Sequence, residues 1–146
     1  MVASAKELLS PEEKKQIVKA IQEAESKTSG EIRLHLEDYC NEDVLDHAAY
    51  LFQKLKMHET EQRNGVLFYV SVKDKQFAIL GDKGINEKVP NNFWDAVKTT
   101  VLQEFVLGNY SNGLCKGIEL AGDKLRKFFP VKRDDKNELS DDISYG

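Results

Sequence analysis

The chain has 146 residues, 40% hydrophobic and 32% charged, with a formal net charge of -4 and a pI near 5.4. That balance suits one soluble globular domain with a real core and excludes a disordered segment. It offers no basic stripe for nucleic acid and no apolar run near the roughly 20 residues of a membrane helix, so neither is expected as a partner.

The opening M-V-A-S-A-K-E-L-L-S lacks a basic patch followed by an apolar core, so no secretory signal is read and a cytoplasmic location is expected. Ser10-Pro11-Glu12-Glu13 is a helix start: serine caps, proline takes the first helical position and Glu13 completes a capping box. Ile17, Ile21 and Ala24 mark one apolar face, and Gly30 is expected to close the helix in a left-handed cap. Glu31 to Asp38 alternates strictly, with Ile32, Leu34 and Leu36 on one side and Arg33, His35 and Glu37 on the other. One wet face predicts an edge or near-edge strand. Asn41 is placed to cap a second helix carrying Val44, Ala48, Leu51 and Leu55, and Lys56 to Asn64 reads as loop.

Gly65 to Val72 is a continuous apolar run, as expected of a buried central strand, and Gln76 to Leu80 returns antiparallel after a turn at Asp74. Gly81 to Pro90 reads as loop. Trp94, Val97, Val101 and Phe105 line a third long helix, which Gly108-Asn109-Tyr110 breaks. Leu114, Ile118, Ala121, Leu125 and Phe128 line a fourth, and Pro130 ends the pattern. The order helix, strand, helix, strand, strand, helix, helix predicts one three-layer α/β/α domain over residues 1–130, with a mixed central sheet and helices on both faces. Residues 131–146 form an acidic tail with Asp134, Asp135, Glu138, Asp141 and Asp142. Its Leu139, Ile143 and Tyr145 could anchor the tail on a partner or on its own domain.

Several of these segments resemble a known family. T-S-G-E-I before the first strand, N-G-V-L-F-Y-V in the central strand, G-I-N-E-K-V-P after the hairpin and F-V-L-G-N-Y-S-N-G-L between the last helices look like a TPM domain. The family takes its name from a thylakoid-lumen acid phosphatase and its relatives. The tail N-E-L-S-D-D-I-S-Y-G resembles that of a stand-alone bacterial subgroup. The resemblance implies a pocket whose acids serve calcium binding and phosphate-ester hydrolysis. Two of those positions differ here. A D-N-G pattern is Arg63-Asn64-Gly65, and an L-P-D pattern is Val89-Pro90-Asn91. With a guanidinium and an amide in place of two carboxylates, no tight calcium site, no cofactor and no catalytic residue are expected.

What remains is a rim of Arg63, Asn64, Asp82, Lys83, Asn91 and Asn92, with Gly65, Gly81 and Gly84 shaping the backbone. Strand directions bring Asp82 beside Arg63 and Asn64, and the start of the third long helix, with Asn91 and Asn92, is expected at the same edge. This rim reads as a binding site for a protein segment or a small anion. The same residues also read as a structural Arg63–Asp82 ion pair with asparagine helix caps. A divergent phosphomonoester hydrolase using that rim is the alternative. His35, His47 and His58 show no metal-ligand spacing and read as surface residues. Cys40 and Cys115 lie in no motif and read as free thiols, with Cys115 packed and inert. Oligomeric state is not legible.

Overall fold

A computed structural model of the chain describes residues 3–131 and 139–146. Tail residues Asp134, Asp135 and Glu138 lie outside the described residues. The elements are α1 (Pro11–Glu25), β1 (Glu31–Glu37), α2 (Val44–Lys54), β2 (Gly65–Ser71), β3 (Gln76–Gly81), α3 (Lys83–Asn86), α4 (Asp95–Val106), α5 (Tyr110–Leu125) and β4 (Ser144–Tyr145). The sheet runs in the order β3-β2-β1-β4. β1 pairs parallel to both β2 and β4, and β3 returns antiparallel to β2. The architecture is the expected mixed α/β sandwich.

β2 explains why the sheet needs two helical layers. All seven of its residues are buried, and consecutive side chains point to opposite faces. Val66, Phe68 and Val70 enter the larger core, which also takes Ile17 and Ile21 of α1, Val97 of α4 and Leu114 and Ile118 of α5. Leu67 and Tyr69 enter the smaller core under α2, with Ala48, Leu51, Phe52 and Met57. Each of the Val, Leu, Ile, Phe and Met side chains among them stabilises the fold by about 1.5–3 kcal/mol on burial.

The α1 capping box forms as its residues predict: the Glu13 N–H donates to Ser10 Oγ at 3.1 Å and the Ser10 N–H to Glu13 Oε1 at 2.9 Å. Other boundaries differ from expectation. α1 ends at Ser26 with right-handed backbone, and Gly108 (φ 80°) rather than Gly30 takes the left-handed conformation. Gly30 is needed for closeness instead, since a Cβ there would lie 3.2 Å from the Leu125 side chain. Asp43, not Asn41, caps α2, accepting from the Leu45 and Asp46 N–H groups. The expected loops contain a 3-10 turn at Met57–Glu59, whose Met57 is buried, and the one-turn helix α3. α4 begins after Trp94, and Phe129 rather than Phe128 is the buried aromatic beyond α5.

Two outcomes bear on function. β1 is a near-edge strand, one of the two positions expected, with β4 along its outer side. Of the two anchorages open to the tail, its described end, residues 139–146, takes its own domain: the Leu139 N–H donates to Glu31 Oε1 at 2.8 Å, and the Gly146 N–H to Leu36 O at 3.0 Å. Among the described residues, no helix is long and apolar enough to cross a membrane.

Candidate functional site

Arg63 leaves the turn before β2 in a left-handed conformation, φ 51°. Its Nε donates to Asp82 Oδ2 at 2.8 Å and its Nη2 to Asp82 Oδ1 at 3.0 Å, a bidentate pair. Asp82 is also the N-cap of α3, accepting from the Lys83 N–H at 2.7 Å. The Asp82 side chain is 6% exposed and that of Arg63 46%, so the cation forms the outer half of the pair. The hydrogen bonds to Asp82, then its charge, raise the Arg63 pKa further.

The loop is drawn close by Gly84. Its N–H donates to Arg63 O at 2.9 Å, and a Cβ there would fall 2.2 Å from Gln62 O. Gly65 and Gly81 are also sites of close approach: a Cβ would meet Met57 O at 3.0 Å in the first and the Trp94 ring at 3.4 Å in the second. Asn64 is buried and structural. Its Nδ2 donates to Ser29 O at 3.2 Å, and its backbone carbonyl accepts from the Glu31 N–H.

Arg63, Asp82 and Lys83 share an open cleft of about 410 Å³, whose wall includes Phe52, Leu80 and His58. His58 Nδ1 is buried and finds no hydrogen-bond partner among the described residues. Lys83 lies 4.0 Å from Glu87 across one helical turn. Asn91 and Asn92 are exposed in the turn before α4 and do not line this cleft. Thus the structure brings three of the six rim residues to one cavity, buries a fourth behind it and leaves two outside.

Calcium takes about six to eight oxygen ligands, preferably with several carboxylates. At this rim both Asp82 oxygens already receive a guanidinium, so the donor set does not fit that ion. Among the described residues, no group of three or more His, Cys, Asp and Glu is placed to hold a metal.

A second polar cluster was not legible in the sequence. On the α2 side of β1, Glu37 accepts from His35 Nε2 at 3.0 Å, His47 Nε2 at 2.8 Å and Tyr69 OH at 2.7 Å. A carboxylate only accepts, so His35 carries its proton on Nε2, and Nδ1 accepts from Ser144 Oγ at 2.7 Å. His35 is 3% exposed rather than a surface residue, and burial holds its pKa below 6.5 despite Glu37. His47 lies between two carboxylates, Nε2 on Glu37 and Nδ1 on Glu42, each at 2.8 Å. Both nitrogens must donate, which requires the imidazolium. Burial opposes this charge, but Glu42 and Glu37 outweigh it and raise the pKa. Burial likewise opposes the Glu37 charge, and Tyr69 and His35 outweigh it. The alternation of β1 exposed this face, but only the added tail and α2 close over it. The remaining candidate is Cys115, half-buried, whose thiol is pushed up by burial and then by Glu119.

The fold and cleft define a small α/β domain with a rim built from the turn before β2 and a one-turn helix after β3. The chain belongs to the TPM domain family, whose model matches residues 2–124. The BA42 protein of the psychrophilic bacterium Bizionia argentinensis is 51% identical, with a TM-score of 0.92 over 96% of this chain and 97% of that one. The N-terminal domain of a P. gingivalis protein is similar in fold at 16% identity, TM-score 0.67, covering 84% of this chain and 79% of that one. The N-terminal domain of the cg2496 protein of Corynebacterium glutamicum is similar at 13% identity, TM-score 0.61, covering 92% and 79%. No curated protein matches the sequence.

Proposed function

We propose that this TPM domain is a non-enzymatic binding module that takes a small anion, or an anionic side chain of a protein segment, at the Arg63 cleft. The supporting observation is the bidentate Arg63–Asp82 pair. It fixes a half-exposed guanidinium at the mouth of a cleft, with donors left over after both contacts to Asp82 are made. Lys83 adds a second cation, and Phe52 and Leu80 offer apolar wall to the rest of a bound segment. The same pair argues against hydrolysis by Asp82. A carboxylate that receives two guanidinium bonds and a helix N–H is a poor general base.

The alternative is a divergent phosphomonoester hydrolase at the same cleft, which family membership favours. Two measurements on the full chain separate them. Inorganic phosphate should give saturable amide shifts at Arg63, Asp82 and Lys83 that disappear in Arg63→Ala. Hydrolysis of p-nitrophenyl phosphate, with and without calcium, should not exceed the buffer rate. Turnover abolished by Asp82→Ala would overturn the binding reading.

A further inference from the structure

Among the described residues, two of the seven β1 residues meet a strand on the outer edge, His35 opposite Ser144 and Leu36 opposite Tyr145. The site that receives this short strand is chemically particular. Ile143 and Tyr145 pack against the larger core, while Ser144 turns to the other face and meets His35 Nδ1 at 2.7 Å. Lys14 of α1 sits 5.5 Å from the Tyr145 ring centroid, and Asp142 shares a cleft with Lys14, Lys15 and Lys19. The slot thus reads an acidic residue, then an aliphatic, a hydroxyl and an aromatic.

Its present occupant fits imperfectly. The Tyr145 hydroxyl is buried with no hydrogen-bond partner among the described residues, as is Asp141 Oδ1. Asp141 also faces Glu25, so two carboxyl groups share one contact. A buried hydroxyl without a partner and a carboxyl pair both weaken docking. A segment with phenylalanine and asparagine at those positions would remove both defects, and a longer strand would pair with more of β1.

We propose that the outer edge of β1 is a strand-acceptor site for an extended segment of a partner protein, patterned acidic, aliphatic, hydroxyl, aromatic, and that Asp142–Tyr145 occupies it in cis. Strand addition takes its affinity from main-chain hydrogen bonds and its specificity from alternate side chains. The charge match of the acidic position to the lysines of α1 sets the direction of the incoming chain. This site involves β1, β4 and α1, whereas the Arg63 cleft involves β3, α2 and α3, so each reading can fail alone.

The test uses the isotope-labelled full chain and an end-blocked octapeptide with the sequence of residues 139–146, carrying Asp141→Asn and Tyr145→Phe. In the full-length variant Ile143→Ala/Tyr145→Ala, which loosens the cis strand, the peptide should shift the His35, Leu36 and Glu37 amides saturably below about 1 mM. Wild type should bind at least about tenfold more weakly, because a tethered segment competes at an effective concentration of roughly a millimolar. A control peptide with alanine at the aliphatic and aromatic positions should give no shift. The proposal is overturned if the folded variant shows no saturable shift at about 2 mM, the solution range of such tethered contacts, or if the control peptide binds equally. It is also overturned if sedimentation shows wild type to be a dimer that the variant is not, since a second copy would then fill the slot.

Discussion

His35 and Ser144 are 109 positions apart in sequence, yet they stand opposite each other in register on β1 and β4 with Nδ1 and Oγ 2.7 Å apart. One hydroxyl thus ties the tail to a buried imidazole, and through it to Glu37, Tyr69 and His47. Side chains from four separate elements depend on this alignment.

That contact and its neighbour should respond oppositely to substitution. Ser144→Ala removes a partner from a buried nitrogen and should cost about 1 kcal/mol or somewhat more. Tyr145→Phe removes a buried hydroxyl that has no partner among the described residues and should be neutral or stabilising. Urea unfolding of the full chain measures both, and a larger loss for Tyr145→Phe than for Ser144→Ala would contradict the described packing.

The two histidines make opposite contributions to pH dependence. His47 is held above its ordinary value of 6.5, so its contribution to stability is complete below 6.5 and is lost as the pH rises through the higher folded-state value. His35 is held below 6.5, so stability falls as the pH drops beneath 6.5 and the unfolded chain takes up the proton first. Measured as the difference from wild type, His47→Gln should become relatively less stable as the pH is lowered from about 8 to about 5.5, and His35→Gln relatively more stable. Denaturant midpoints at several pH values test the sign.

Glu25 supplies the background that this difference cancels. Burial, then the hydrogen bond with Asp141, pushes it up to about 10, while the Ile32 N–H donates to Oε2 at 3.0 Å and opposes the shift. Its folded-state pKa is raised, so its contribution is greatest below 4.5 and declines as the pH rises toward 10. Glu25→Gln reproduces the neutral form, with an oxygen for Ile32 and an amide donor for Asp141. It should leave the tail docked and flatten the stability profile between about pH 5 and 9. An unchanged slope would show that Glu25 is ionised in the folded chain.

Gly84→Ala tests how closely the rim loop is held. Alanine is the better helix former, so propensity alone favours the change. The new Cβ, however, would meet backbone atoms, Gln62 O at 2.2 Å and Arg63 O at 2.6 Å, and backbone cannot swing aside as a side chain can. The variant should lose about 1–3 kcal/mol, the usual cost of overpacking. It should also disturb the Arg63 and Asp82 amide signals before those of the core. A stabilised Gly84→Ala would mean that the loop stands farther off.

Local chemistry made much of this fold legible in the sequence. The capping box at Ser10, the alternation from Glu31 to Glu37 and the apolar run of β2 each state a backbone preference within a few residues, and the parallel and antiparallel pairings follow from their order. The Arg63–Asp82 pair was also within reach, because both residues flank paired strands whose directions bring them to one edge. The His35, Glu37, His47 and Tyr69 cluster was not, since alternation shows that a face is polar but not what will cover it. Nor was the placement of the tail. Its four-residue run of acid, aliphatic, hydroxyl and aromatic has no periodicity of its own, and it becomes a strand only where the outer edge of β1, the core beneath Ile143 and Tyr145 and the imidazole of His35 meet it together.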